Sequence, residues 1–133
     1  LIEPIIKKKT RVVYGSRVLG KNRYLANNFS SILRIFYNHV LTILSNFLNK
    51  QSLTDAHTCY KVFETDIFKS LNLKAKKFNF CAEVNCLLGK KNITILEIPI
   101  SYKGRTFEEG KKIRFKDGIE TIITLFRYKF LKN

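Results

Sequence analysis

From residue 29 to residue 48 the chain repeats apolar side chains at helical spacing without a break. In a protein of 133 residues one helix of that length dictates much of the architecture. Phe29, Ile32, Leu33, Phe36, Val40, Ile43, Leu44 and Phe47 fall on one stripe, while Ser31, Arg34, Asn38, Thr42, Ser45 and Asn49 trace the opposite side. Such a helix runs about 30 Å, and Ile35, Tyr37, Leu41 and Leu48 widen its stripe beyond what one neighbour covers. The stripe is expected to face the core, because the polar side lacks the Lys and Arg density of helices that rest on membranes; a membrane contact is the alternative. His39 is expected as a solvated helix residue.

The remaining elements are short. Residues 1–9 read as the end of an amphipathic helix with Pro4 in its first turn and lysines in its last. Residues 11–14 read as a strand, and Gly15, Ser16 and Arg17 as the loop after it. Residues 59–63 are expected to be extended, 64–71 helical, 74–77 a basic turn, and 80–88 a helix with Gly89 as its C-cap. Alternation over residues 93–102 predicts a strand with Leu96, Ile98, Ile100 and Tyr102 on one face, and Pro99 places either the strand at an edge or its end in the ladder at that residue. Asp117 and Glu120 have capping-box spacing ahead of a second amphipathic helix, with Ile119, Ile122, Ile123, Phe126 and Phe130 apolar and Arg127, Lys129 and Lys132 on the exposed side. That basic side suits an anionic membrane surface. Helix, strand, glycine turn and later strand predict one α/β domain over residues 1–133, short in strands for a full sheet.

Lys and Arg number 25 against 10 acids, a net charge of +15, while 45% of residues are hydrophobic and 11 are Phe. Disorder is thereby disfavoured and an anionic partner implied. The cations concentrate in residues 101–118, SYKGRTFEEGKKIRFKDG, at Arg105, Lys111, Lys112, Arg114 and Lys116, with Glu108, Glu109 and Asp117 offsetting only part. Arg105 can grip two phosphate oxygens, the lysines add point charge, and Gly104 and Gly110 let the loop fold over a bound group. In open α/β sheets ligands bind beyond the carboxyl ends of strands, which places Ser16 and Arg17 at a second such position. Arg23 is a weaker companion.

Asp55 lies in a polar turn after the long helix, next to Thr54 and near Lys61; a turn carboxylate or a proton acceptor are both open to it. Glu83, on an otherwise apolar helix, is either an exposed residue or one facing a substrate. Cys59, Cys81 and Cys86 form no metal-binding spacing and read as small apolar residues in a reduced protein. No GxGxxG, P-loop, HExxH or D-x-D occurs. The absence of Met and the start LIEPII lead us to expect a piece of a longer protein.

Three segments taken together, VVYGSRVLG at 12–20, TDAHTCYKVF at 54–63 and EIPISYKGRTFEEGKKIRFKDG at 97–118, resemble family 2 glycosyltransferases of the dolichol-phosphate or polyprenyl-phosphate sugar transferase type. The resemblance implies the carboxyl-terminal part of a GT-A domain, a Rossmann-like α/β fold, incomplete here. It implies a nucleotide-sugar donor, a lipid-phosphate acceptor, peripheral contact with the cytoplasmic face of a membrane, no nucleic acid, and Mg²⁺ or Mn²⁺ held by a D-x-D outside this chain. By position, Arg17 matches the family's phosphate-binding arginine, Asp55 its acidic residue near the acceptor, and Arg105, Lys111 and Lys112 its cationic loop. This sequence departs from the pattern at Cys81 and Ala82, where relatives carry an acid and a proline before the acid matched by Glu83, and at His57. The implied reaction is a single inverting displacement at the anomeric carbon, for which the chain alone is expected to be inactive. A basic nucleic-acid-binding module is the competing expectation; no RNP, helix-turn-helix or KH pattern supports it.

Overall fold

The computed structural model describes residues 1–20, 29–75, 79–102 and 115–130. In chain order the elements are α1 (Glu3–Ile6), β1 (Val12–Ser16), α2 (Phe29–Asn49), β2 (Lys61–Phe63), α3 (Thr65–Ser70), α4 (Phe80–Lys90), β3 (Leu96–Pro99) and α5 (Phe115–Phe130). The result is a small mixed α/β domain on a three-stranded sheet of order β2-β1-β3. β1 pairs antiparallel with β2, Val13 opposite Val62, and parallel with β3, Tyr14 opposite Glu97. As Pro99 predicts, β3 is an edge strand and the proline is its last residue.

β1 runs through Gly15 and Ser16, which local sequence reads as loop. Two long-range bonds extend it: Gly15 N–H donates to the Tyr60 carbonyl (2.8 Å), and Ile100 N–H donates to the Ser16 carbonyl (3.0 Å). A Cβ on Gly15 would lie 2.7 Å from Ile100 Cγ2, so the neighbouring chain comes close only because residue 15 has no side chain. α1 is a single turn that stops before the lysines assigned to it.

α4 is the middle layer. Val84 and Leu88 pack on one side against Val12, Tyr14, Leu53, Ala56, Ile67 and Leu71, and Ala82 and Cys86 pack on the other against Leu48 and Leu125. At 100° per residue these pairs lie on opposite faces of the helix, which is why residues 81–86 are all buried. α2 and α5 therefore form an outer layer, each touching α4 and each other. Gly89 is not the C-cap of α4 but lies inside it. The cap is Lys91, with Asn92 in the left-handed region at φ 53°. Gly89 serves a crossing instead: a Cβ there would stand 2.9 Å from both Cβ and the carbonyl oxygen of Asn49.

The largest difference from expectation concerns which way α2 faces. Its helix is where periodicity places it, yet Ile32, Leu33, Phe36, Val40, Ile43 and Phe47 are exposed, and Thr42, Ser45 and Asn49 from the polar side are buried. The core-facing reading of the apolar stripe is thus overturned. The polar stripe turns inward because a segment of irregular backbone, residues 51–58, lies beneath it and needs hydrogen-bond partners. Thr42 Oγ1 accepts from Ala56 N–H (3.3 Å), and Asn46 donates to the Leu53 carbonyl (2.7 Å) while accepting from Leu53 N–H (3.0 Å).

α5 repeats the inversion. Thr121, Thr124 and Leu125 are buried, and Ile119, Ile122, Ile123, Phe126 and Phe130 are exposed. It begins at Phe115, so Asp117 stands in the first turn rather than at the cap. Lys132 lies outside the described residues.

Candidate functional site

The parallel pair β1 and β3 ends with Ser16 opposite Pro99, and the chain leaves both strands on the same side. Arg17 follows β1 at once and Tyr102 follows β3, its ring 5.3 Å below the guanidinium. The turn around Asp55 closes this end of the sheet from the α2 side. Arg17 N–H donates to Asp55 Oδ2 (3.1 Å), its Nε to the same oxygen (2.6 Å), and its Nη2 to Oδ1 (2.7 Å). The carboxylate is 2% exposed. A bidentate pair this enclosed fixes the plane of the guanidinium and engages both oxygens of the acid.

Glu97, from β3, is the residue that organises the turn, and sequence reasoning missed it. Its Oε2 accepts from Thr54 N–H (2.7 Å) and Thr54 Oγ1 (2.9 Å), and its Oε1 from Asp55 N–H (3.0 Å). Since the Thr54 hydroxyl proton points to Glu97, Ser16 Oγ donates to Thr54 Oγ1 (2.7 Å) and in turn accepts from the backbone N–H groups of Val18 and Leu19, both at 3.2 Å. One polar chain thus ties β1, β3 and the Asp55 turn together. The available signal for Glu97 was the alternation in β3, which sets it on the face opposite Leu96 and Ile98, where an acid in a strand beside the central one must find donors.

Ser16, expected on an open loop, is fully buried at the end of β1, its hydroxyl engaged by the contacts above. Lys61 lies on β2 with its ammonium 4.1 Å from the centre of the Tyr14 ring, donating to the carbonyls of Ala56 (3.2 Å) and Thr58. Burial lowers its pKa. Tyr14, whose phenol donates to Asn85 Oδ1 (2.8 Å), is raised well above the ordinary range by the same burial. Glu83 is neither an exposed residue nor part of the Arg17 cluster. It is fully buried and accepts from Lys74 N–H (2.8 Å), Ala75 N–H (2.7 Å) and the Tyr128 hydroxyl (2.6 Å), so it ties α4 to α5 and to the chain before α4. Loss of solvent and, next, the bond to Glu83 push the Tyr128 phenol up to about 12.

His57 sits beneath α2 with Nε2 enclosed and without a hydrogen-bond partner. Burial first, then the charge of Lys61, lowers its pKa to about 4, against a bond to the Leu41 backbone. It is a neutral imidazole at physiological pH. Cys81 and Cys86 are buried thiols as expected, whereas Cys59 is exposed. Arg23, Arg105, Lys111 and Lys112 lie outside the described residues.

Among the described residues no three His, Cys, Asp or Glu side chains converge, and the two carboxylates at this end of the sheet are occupied by Arg17 and by backbone N–H groups. The arrangement offers a fixed guanidinium on an aromatic ring and a rigid turn. No family model, curated protein or solved structure matches the chain.

Proposed function

We propose that the chain is the acceptor-side part of a family 2 glycosyltransferase of GT-A type, which transfers a sugar with inversion from a nucleotide-sugar donor to a polyprenyl phosphate at the cytoplasmic face of a membrane. The observation that carries this reading is the engagement of Asp55. A sugar hydroxyl needs a base when it attacks, and at this end of the sheet both described carboxylates are held by donors. A phosphate acceptor is already ionised and needs none. Asp55 then acts by orienting Arg17.

In that reaction an oxygen of the acceptor phosphate forms the new bond to the anomeric carbon as the bond to the nucleoside diphosphate breaks, and the electron pair leaves with the diphosphate. Arg17, at the end of β1, and Arg105, Lys111 and Lys112, which follow β3 in sequence, are the cations we assign to the phosphates. The Mg²⁺ or Mn²⁺ that the resemblance implies would be held by a D-x-D outside these residues and would stabilise the leaving diphosphate.

The test compares polyprenyl phosphate with the matching polyprenol as ligands of the chain, and follows sugar transfer to each in the full-length protein. The phosphate is expected to bind and to accept sugar, and Arg105→Ala to weaken phosphate binding by about tenfold or more. Equal affinity for the alcohol, or transfer to a sugar hydroxyl in preference, would overturn the reading. Tight RNA binding that survives Arg17→Ala and Arg105→Ala would favour the nucleic-acid alternative.

A further inference from the structure

We infer that the outward faces of α2 and α5 form one lipid-docking surface that seats the protein on an anionic bilayer with both helices lying in the interface. On α2 the exposed side chains include Phe36 (61%), Ile43 (67%) and Phe47 (82%), and on α5 Ile123 (60%) and Phe130 (69%). These are the centres of apolar stripes, not scattered surface residues, and monomeric proteins rarely leave such stripes uncovered. The buried sides of both helices are packed on α4 and they touch each other, so both stripes turn away from the core on the outer layer.

Charge identifies the occupant. At 100° per residue the α5 stripe is flanked by Lys116 and Arg127 on one side and Lys129 on the other, and Lys50 follows Phe47 at the end of α2. α2 contains no acid at all. Apolar centres with cations at their borders match acyl chains beneath anionic headgroups, where the long cationic stems reach back to the phosphates. A second copy of the chain would instead bring like charges together, at a net charge of +15 each. Neither helix spans the bilayer, since no described helix is long and apolar enough to cross it. The polar stripe of α2 holds the Asp55 turn through Thr42 and Asn46, so docking places the Arg17 end of the sheet over the headgroups.

This deepens the proposed function by naming the surface, but its test contains no sugar and no polyprenyl phosphate, so either can fail alone. The chain has no Trp, and Phe47→Trp, Phe126→Trp and, as an off-face control on α3, Phe68→Trp give single reporters. With vesicles of phosphatidylcholine plus phosphatidylglycerol, emission from positions 47 and 126 is expected to shift to the blue and to be quenched by brominated acyl chains, while position 68 is not. Vesicles of phosphatidylcholine alone are expected to bind at least about tenfold more weakly. The double substitutions Phe36→Ser with Phe47→Ser, and Ile123→Ser with Phe126→Ser, alter exposed positions and are expected to keep the melting transition while each lowers vesicle affinity at least about tenfold. The inference is overturned by absence of vesicle binding, by equal quenching at all three positions, or by binding that needs anionic lipid but survives the serine substitutions. A dimer dissolved by those substitutions in a protein that ignores vesicles would overturn it in favour of a second copy.

Discussion

Arg17 and Asp55 each stand out in the sequence, one after a strand and the other in a polar turn, but they are 38 positions apart and nothing in the spacing says that they meet. Their pairing turns two candidate ligand contacts into one rigid unit. Removing one partner strands the other inside the protein: Arg17→Ala and Asp55→Ala are each expected to cost about 3–5 kcal/mol, and the double variant less than the sum of the two, measured by denaturant unfolding. Glu97 was illegible for a different reason, since its three donors belong to a turn that sequence cannot bring to the strand. His57 makes the fold sensitive to acid. Its folded pKa of about 4 lies below the usual 6.5, so the unfolded chain takes up the proton first. The neutral imidazole leaves stability intact above about pH 6.5, and stability is lost as pH falls toward 4, by up to about 3 kcal/mol. His57→Gln is expected to flatten that dependence in thermal melts between these pH values.

Among the elements, α2 separates what periodicity can and cannot tell. The helix itself and its length are legible because apolar residues recur at the right interval. Which side turns inward is not, because the decision belongs to residues 51–58, whose backbone groups need Thr42 and Asn46. Asn46→Ala removes a donor and an acceptor from Leu53 together and is expected to destabilise the fold by about 1–3 kcal/mol, although the position reads as surface in a helical projection. Chemical denaturation of the variant measures it. Gly89 gives the converse case. Alanine is the better helix former by about 1 kcal/mol, yet Gly89→Ala is expected to lower stability by about 1–3 kcal/mol, because the new methyl meets the backbone of Asn49. A gain in stability on that substitution would show that α2 and α4 can move apart freely.

For the whole molecule, the mixed α/β class follows from the order of elements and the edge position of β3 from Pro99. The layering does not, because it required knowing that α4 is buried on two opposite faces. The charge of +15 belongs to this scale as well. Raising salt is expected to slow association with anionic vesicles while leaving dissociation nearly unchanged, since long-range attraction is screened and apolar contact is not. Stopped-flow quenching of the Phe47→Trp reporter separates the two rates.

β1 is the centre of the sheet, yet its parallel partner β3 is made only after α2, α3 and α4. On the ribosome, β1 therefore emerges before α2, α3 and α4 and waits through their synthesis for the strand that completes its pairing. During that interval α2 already carries its outward stripe, with no sheet behind it and nothing to hold the 51–58 backbone. The exposed apolar stripe of α2 is thus available to a chaperone before the sheet is complete. Residues 1–95 alone, which lack β3, are expected to show no cooperative melting transition.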